Sequence, residues 1–231
     1  MGYLIFRGVS SASLGDVYIS KMPSHKKAAM RNTEYRIKGR DGVLHVDEGF
    51  DEFKIQATII LIKGAAGKRQ IVNAWADGTG KLVTSDDLTH AYRATVKDEI
   101  VWKRVYANNA FYDTAQITWT CEPYMYEATD TVVEMTQSGA LLNPGSAEAL
   151  PMIRVDGSGD CVFSVAGYDI TLSGVTANVP VYIDCETGYV YTASGASSMV
   201  GEFPVLPMGQ SAVVITSGVT KLTITPHWRW V

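Results

Sequence analysis

The chain has 231 residues, of which 24 are acidic and 20 are basic, and its formal net charge is −4. This length suggests one or two domains, and no apolar run approaches the 18 or so residues that predict a membrane-spanning helix. The charges divide unevenly, since residues 1–127 have a net charge of +2 and residues 128–231 a net charge of −6. The second part holds only three cations, so it lacks the cationic face that a nucleic-acid-binding protein needs.

The first part of the chain combines short strand patterns with one hairpin signal. Short strands are predicted at Tyr3–Phe6 and Asp16–Lys21. Tyr35–Lys38 and Val43–Val46 alternate polar and apolar residues, and the Asp-Gly pair between them is typical of a hairpin turn. We therefore predict a hairpin over Ala28–Val46, which protrudes because few of its residues are able to fill a core.

The strongest strand signal is Phe53–Ile62, where apolar residues at every second position predict a central strand. The period then changes, because Ile71, Val72 and Trp75 share one face of a predicted helix over Ala65–Asp77. We expect Trp75 to anchor this helix on the strand Phe53–Ile62. Further strands are predicted at Lys81–Thr84, Ala91–Val96, Ile100–Tyr106 and Phe111–Cys121.

A turn-rich stretch divides the chain. Residues Gln137–Pro151 include Asn143-Pro144-Gly145, a strong turn signal, and contain no β-branched, aromatic or basic residue. We predict a connector over residues 131–150. Beyond it, short strands with glycine-containing turns between several of them are typical of a β-sandwich or jelly roll. They are predicted at Met152–Val155, Cys161–Val165, Tyr168–Leu172, Val179–Asp184, Tyr189–Thr192, Ser211–Ile215 and Lys221–Thr225.

Two loops are partly similar to ligand-binding motifs. Gly64–Arg69 follows a strand and opens a helix, as a phosphate-binding loop does, but Arg69 stands where that motif needs Ser or Thr. Asp156–Asp160 has the alternating oxygen ligands of a calcium loop, but Cys161 replaces the required glycine. We interpret the first loop as a simple strand–helix turn and the second as a β-turn.

The titratable residues do not form a recognisable catalytic or metal-binding pattern. The histidines have neither HxH nor HxxxH spacing, and no pair of cysteines is CxxC, so we predict no zinc site. The adjacent acids Asp51-Glu52 and Asp86-Asp87 are interpreted as solvated turns, since neighbours in one environment do not separate their pKa values. The three cysteines, at positions 121, 161 and 185, are predicted to be reduced and partly buried.

Several aromatic residues of the second part share strand faces. Tyr189 and Tyr191 lie on one face of an alternating strand, as do Trp228 and Trp230. Together with Tyr182, they are candidates for a surface on which sugar rings stack. Packing inside the sandwich is the more common role of such side chains. An alternative function is therefore that of a monomeric carbohydrate-binding β-sandwich protein.

The order of several short motifs resembles a known family. In the first part these motifs are Arg40-Asp41-Gly42, Trp75 in a helix, Gly80-Lys81-Leu82, Ser85-Asp86-Asp87 and Cys121-Glu122-Pro123-Tyr124. In the second part they are Asn143-Pro144-Gly145, Pro151-Met152-Ile153, Ile183-Asp184-Cys185-Glu186, Phe203-Pro204, Pro207-Met208-Gly209 and Pro226-His227-Trp228-Arg229. Over nearly the whole chain this order resembles the distal tail protein (Dit) family of phages with long non-contractile tails.

The resemblance implies a mainly β protein in which residues 1–130 are a ring-forming, tail-tube-like domain: a β-sandwich with one helix and a protruding hairpin. Residues 131–150 would connect it to a galectin-like β-sandwich, residues 151–231. The implied function is a structural hub of a phage or prophage tail tip, a hexameric ring that joins the tail tube to the tip and baseplate proteins. DNA would pass through the ring without specific binding.

The resemblance also implies the partners of the protein. These are other copies of the chain, the tail tube protein, a tail-associated lysin or fibre protein and, in some relatives, a receptor-binding protein. It implies no catalytic residue, no cofactor and no metal. The protein would be located at the virion tail tip after assembly in the host cytoplasm.

The hairpin is the predicted subunit contact. An isolated two-stranded hairpin is marginally stable in water, so a neighbouring subunit would order it. A patch that repeats around a rotation axis makes a head-to-tail contact that closes into a ring. The cations of the hairpin would meet acids such as Asp51, Glu52, Asp86 or Asp87. The predicted interface residues are Tyr35, Arg36, Ile37, Lys38, Arg40 and Leu44.

Overall fold

The computed structural model describes residues 2–62, 65–107 and 109–231. The chain is mainly β, as predicted, and its contacts divide it into two units, residues 1–128 with Val231 and residues 129–230. Gly64, with which the predicted strand–helix turn begins, lies outside the described residues.

The first unit is built on a curled antiparallel sheet. The sheet order is β2-β1-β7-β8-β10-β6-β3, β9 pairs with the start of β10, and β4 and β5 form a separate two-stranded sheet. The strands are β1 (Leu4–Phe6), β2 (Val9–Ser10), β3 (Val17–Lys21), β4 (Met30–Tyr35), β5 (Leu44–Phe50), β6 (Phe53–Ile62), β7 (Gly78–Thr84), β8 (Asp87–Val96), β9 (Lys103–Ala107) and β10 (Ala110–Glu127). A 3-10 helix spans Ser11–Leu14, and the helix α1 spans Ala65–Trp75.

The sheet curls because β10 pairs with different strands along its length. Its residues 112–121 lie opposite β6, and its residues 120–127 lie opposite β8. A bulge between Cys121 and Met125 separates the two registers. Pro123 lies within this bulge, where its missing N–H removes no regular ladder bond.

The core of the first unit confirms the predicted face of β6. Ile55, Ala57, Ile59 and Leu61 are all buried, as are Ile117 and Trp119 of β10. These side chains belong to one apolar cluster that also contains Phe6 of β1 and Val72 of α1.

Helix α1 presents a face that differs from the predicted one. Val72, Trp75 and Ala76 are buried, whereas Ile71 is 48% exposed. Trp75 lies in one apolar cluster with the buried residues of β6, as predicted, and its contacts also extend to β1 and β10. Its indole ring packs edge-on against Phe6 and Trp119, and its Nε1 donates to the Val9 carbonyl at 2.9 Å. Ile71 is exposed because successive residues of a helix are rotated by about 100°. This rotation places Ile71 outside the buried stripe formed by positions 72, 75 and 76.

A buried carboxylate fixes α1 and β9 to the sheet. Asp113 of β10 is fully buried, and its Oδ2 accepts hydrogen bonds from Arg69 Nε and Nη2 at 2.8 and 2.6 Å. Its Oδ1 accepts from Arg104 Nε at 3.2 Å. Burial alone would raise the pKa of Asp113, but the hydrogen bonds from Arg69 and Arg104 outweigh it and lower the pKa.

The second unit is a sheet folded over on itself. Its sheet order is β11-β19-β13-β15-β16-β17, β12 also pairs with β19, and β14 lies between β13 and β18. The strands are β11 (Val133–Met135), β12 (Gly139–Asn143), β13 (Met152–Val165), β14 (Tyr168–Val175), β15 (Val181–Asp184), β16 (Tyr189–Thr192), β17 (Gly195–Ala196), β18 (Val200–Gly201), β19 (Gly209–Thr225) and β20 (Arg229–Trp230).

Two long strands hold both layers of this sandwich. The first half of β13 pairs with β15 and with the end of β19, whereas its second half pairs with β14 and with the start of β19. The inward residues of both halves, among them Ile153 and Phe163, lie in one buried cluster. The strands predicted separately at 152–155 and 161–165 are therefore continuous, and Asp156–Asp160 is a bulged part of β13 rather than a β-turn.

Close contacts at glycines permit the fold-over of β13 and β19. A Cβ atom on Gly157 would lie 2.4 Å from the Gly218 carbonyl oxygen, and one on Gly218 would lie 2.2 Å from the Asp160 oxygen. Gly218 also has φ of +73°, a backbone conformation that residues with a Cβ rarely adopt.

The predicted connector is part of the second unit. Val133–Met135 and Gly139–Asn143 pair with β19, so residues 131–150 supply two strands instead of a separate linker. The Asn143 side chain closes the following turn. Its Oδ1 accepts from Gly145 N at 2.8 Å, and its Nδ2 donates to the carbonyls of Ala147, Leu206 and Pro207. Strand β12 contains no β-branched residue, so it depends on partners about 70 residues away in β19.

We expect Trp75→Ala to lower the free energy of unfolding by about 3–5 kcal/mol, because it leaves a cavity between α1, β1 and β10. Urea unfolding measures the change. Ile71→Ala on the same helix is the control and should cost less than about 1 kcal/mol, since the side chain is half exposed. Equal losses for the two variants would contradict the assignment of the buried face.

We expect Gly218→Ala to destabilise the protein more than Gly209→Ala. Both glycines have positive φ, which costs a residue with a Cβ about 1–2 kcal/mol. At Gly209 a Cβ would meet nothing within 4 Å, whereas at Gly218 it would overlap the Asp160 backbone. Thermal unfolding of the two variants measures the difference, and equal melting temperatures would show that the fold-over tolerates a side chain.

We expect Asp113→Asn to cost about 2–3 kcal/mol at pH 7, because charge-assisted hydrogen bonds to two guanidinium groups are lost. Since folding lowers the pKa of Asp113, its contribution is present above the unfolded pKa of about 3.9 and is lost as the pH falls through the folded pKa. Urea unfolding of both proteins should therefore differ less as the pH is lowered below about 4. A difference that stays constant down to pH 2 would contradict the role of the carboxylate.

Candidate functional site

The predicted hairpin is present, with longer strands than the sequence suggested. β4 and β5 pair so that Tyr35 lies opposite Leu44, Glu34 opposite His45 and Thr33 opposite Val46. Phe50, at the end of β5, packs edge-on against Tyr124 of β10, with ring centroids 5.9 Å apart.

The turn of the hairpin differs from the predicted Asp-Gly turn. The loop covers residues 36–43, and Arg40 N donates to the Ile37 carbonyl at 3.1 Å. Gly39 occupies the third position of this turn with φ of +87°, which a type II turn requires. The turn is therefore centred on Lys38 and Gly39. Gly39, which lies three residues before Gly42, supplies the positive φ that this turn requires.

The two faces of the hairpin differ in polarity. Opposed residues of an antiparallel pair share a face, so Tyr35, Leu44, Thr33 and Val46 form one surface, which we call the apolar face. Tyr35 is 53% exposed, Leu44 38% and Val46 42%. The opposite, polar face carries Asn32, Glu34, His45 and Asp47.

A bulge near the base of the hairpin changes its twist. Between Met30 and Asn32 the register shifts by one residue, and Gly49 on β5 has φ of +89°. Arg31 spans this point, since its Nη2 donates to the Glu48 carbonyl at 3.0 Å and its Nε lies 3.3 Å from Asp51.

The hairpin loop is cationic. Arg36, Lys38 and Arg40 form no ion pair within the described ranges. The acids predicted to receive such cations already have partners within the chain. Asp51 and Glu52 form ion pairs with Arg31 and Lys97, and Asp86 and Asp87 share hydrogen bonds with His25 and His90.

The predicted interface residues lie in one region of the hairpin. Tyr35 and Leu44 form the outermost strand pair, and Arg36, Ile37, Lys38 and Arg40 follow in the loop. Thr33 and Val46 on the same face were not predicted, although the alternation of the sequence continues through both positions.

The pKa values of two adjacent acids and two buried thiols are shifted away from neutral pH. A hydrogen bond from Thr84 and one from His25 lower the pKa of Asp86, and bonds from Thr89 and His90 lower that of Asp87. Burial raises the pKa of Cys121 and of Cys185 to about 12, which disfavours the reactive thiolate.

The described ranges contain neither a cluster of metal-ligating side chains nor a helix that could span a membrane. Residues 2–62, 65–107 and 109–231 contain no group of three or more His, Cys, Asp or Glu side chains that could hold a metal ion. Within the same ranges, no helix is long and apolar enough to cross a membrane.

The predicted aromatic set divides between core and surface. Trp228 is buried in the core of the second unit, and Trp230 packs partly against that core. Tyr189 and Tyr191 lie on the surface, and Tyr191 stacks on Tyr182 with ring centroids 5.3 Å apart.

Comparison with solved structures places this architecture among phage tail proteins. The fold is similar to the crystal structure of the SPP1 Dit protein (gp 19.1), a hub of the adsorption apparatus of phages that infect Gram-positive bacteria. The TM-score is 0.73 at 12% sequence identity, and 98% of each chain is covered. The chain thus has a Dit-like fold, which confirms the predicted resemblance at the level of structure.

Two baseplate structures also share the fold. The phage p2 baseplate, in its activated conformation with Sr, contains a chain with a TM-score of 0.53 at 8% identity, over 97% of this chain and 98% of that one. The same baseplate with Ca gives a TM-score of 0.53 at 9% identity, over 96% and 97%. No protein-family model matches the sequence. No curated protein matches it either.

Proposed function

We propose that this chain is a structural hub protein of a phage or prophage tail tip. It forms a hexameric ring that joins the tail tube to the tip and baseplate proteins and lets DNA pass through its lumen. The observation that supports this most is the likeness to SPP1 Dit, which extends over 98% of both chains and therefore includes both units. The matched structures are those of phage tail and baseplate components, so a structural rather than an enzymatic role is favoured.

We assign ring formation to the first unit and its hairpin. Tyr35, Leu44 and Val46 expose an apolar face on a ribbon of two strands, a structure that is marginal in water without cover. A second copy of the chain is the cover that a ring provides. In a ring of identical copies, this face of one copy contacts a different surface of the next copy, which is a head-to-tail contact.

Charge supports a second copy as the occupant. The hairpin loop carries Arg36, Lys38 and Arg40, which are unpaired within the described ranges, and one acid, Asp41. Glu99 is an exposed acid that forms no ion pair in the same part of the chain, and it lies two residues before Val101, which is exposed. We propose that this segment of the neighbouring copy meets the cationic loop.

The remaining assignments follow from the proposed hub role. The tail tube protein contacts one side of the ring, and a tail-associated lysin or fibre protein contacts the other. The second unit is the part of the chain that would hold a receptor-binding protein. DNA in the lumen is not bound specifically, and the protein resides at the virion tail tip after assembly in the host cytoplasm.

We expect Tyr35→Ser combined with Leu44→Ser to convert the ring into a folded monomer, because these residues form the outermost pair of the apolar face. Size-exclusion chromatography with light scattering measures the mass. Neither side chain contributes to the buried core, so circular dichroism should remain unchanged.

The matched control is Glu34→Ser combined with His45→Ser, the adjacent pair on the polar face. This control should remain a ring. A ring that persists without Tyr35 and Leu44 would contradict the assignment of the interface to the apolar face. A wild-type protein that is monomeric at all concentrations would instead refute the hub and favour the alternative of a monomeric carbohydrate-binding protein.

A further inference from the structure

The outward side of one layer of the second unit carries an aromatic and charged row. Neighbouring strands place Arg154 of β13 opposite Tyr182 of β15, and Tyr182 opposite Tyr191 of β16. Directly opposed residues share a face, and the flanking Ile153 and Val155 are buried in the core, so the row lies on the outer face of the sheet.

Three tyrosines, Tyr182, Tyr189 and Tyr191, lie along this face. Tyr182 and Tyr191 stack with ring planes only 16° apart. Tyr189 lies on the same face as Tyr191, two residues or about 7 Å along the strand, and is 68% exposed. Tyr189, Tyr191 and the following loop line an open depression of about 570 Å³, a volume in the range of small-ligand sites.

Polar groups that can bond hydroxyls lie on the same sheet face: Arg154 is opposite Tyr182, on the second strand from Tyr191. Arg154 donates from Nε and Nη2 to Asp156 Oδ1 at 3.3 and 2.8 Å. A guanidinium has five N–H donors, so three remain for another acceptor. Asp184 lies opposite Tyr189, and its carboxylate accepts from the backbone N–H of Glu186 and of Thr187.

The cations of this face are already neutralised. Arg154 is paired with Asp156, and Lys221 is paired with Glu134 at 3.0 Å. Residues 128–231 as a whole have a net charge of −6. An acidic polymer would therefore meet no excess positive charge here, whereas an uncharged ligand would not be repelled.

We propose that this face is a binding site for a neutral saccharide, with Tyr189 and Tyr191 as the stacking surface and Arg154 as a hydroxyl-binding group. A sugar ring combines an apolar C–H face, which packs on an aromatic ring, with hydroxyls at its edge, which need donors and acceptors. The tyrosines and the Arg154–Asp156 pair supply both kinds of contact within one face. The site lies within the second unit, so the proposal holds for a ring and for a monomer alike.

Affinity electrophoresis of the full chain tests the proposal. Native gels contain a β-glucan, an α-glucan, a mannan or a galactan, and a further gel contains an anionic polyglycerol phosphate polymer. The wild-type protein should be retarded by at least one neutral polysaccharide and not by the anionic polymer. Tyr189→Ala and Tyr191→Ala should each raise the dissociation constant about tenfold.

Two more variants separate binding from a change of fold. Leu142→Ala removes a side chain that is also 68% exposed, on β12, and should leave the retardation unchanged. Arg154→Lys retains the charge beside Asp156 but has fewer and less directed donors, so it should weaken binding severalfold.

Three results would overturn the proposal. They are the absence of retardation in all neutral gels, retardation by the anionic polymer alone, and neutral binding that Tyr189→Ala and Tyr191→Ala leave intact. In the last case Tyr189 and Tyr191 would serve another contact, such as one with a protein partner.

Discussion

Both units of this chain depend on long strands that extend beyond one layer and continue into another part of the sheet. A strand that continues past the edge of one layer must bend and exchange its neighbours, and its backbone groups must find partners on both sides of the bend. In the first unit β10 meets this requirement with a bulge around Pro123. In the second unit β13 and β19 bend together, at Gly157 and Gly218, where a Cβ atom would overlap the backbone of the opposite strand. Because the two layers are covalently continuous, each core is closed without a long connection.

The two surfaces to which we assign functions, the apolar face of the hairpin and the tyrosine face of the second unit, are not part of either buried core. The hairpin β4–β5 extends from the first unit, and its apolar face contributes nothing to the buried cluster of that unit. Exposure of this apolar face is unfavourable in an isolated chain, and in the ring that we propose a neighbouring copy covers it. Phe50 and Tyr124 fix the base of the hairpin, so less conformational entropy is lost when its face is covered.

The chemistry of the two surfaces differs in a way that suits separate tasks. The hairpin carries cations that form no ion pair in the described part of the chain, beside apolar side chains, a combination that favours a protein partner with acids of its own. The tyrosine face of the second unit carries ion pairs that are already closed, and its rings are the accessible apolar surface. One surface therefore serves self-assembly in our proposal, and the other serves recognition of a neutral ligand.

The sequence by itself determined which residues of the strands share a face. Alternation along Phe53–Ile62 identified the buried side of β6, and the signals around Tyr35 and Leu44 identified the hairpin. The motif order pointed to the Dit-like fold that the structural comparison confirms. These features are local, since periodicity and turn chemistry act over a few residues.

Only the tertiary structure decided which faces are covered and which strands are continuous. Ile71 and Trp75 are both apolar residues of one helix, yet only Trp75 meets the aromatic core. The turn signals near Gly157 interrupt the pattern of β13, but its partner β19 carries the ladder through the bulge. Partners such as these lie about 60 residues apart in the chain. Local patterns do not encode which distant strand supplies the hydrogen bonds or whether a face meets a core, because both depend on how the whole chain packs.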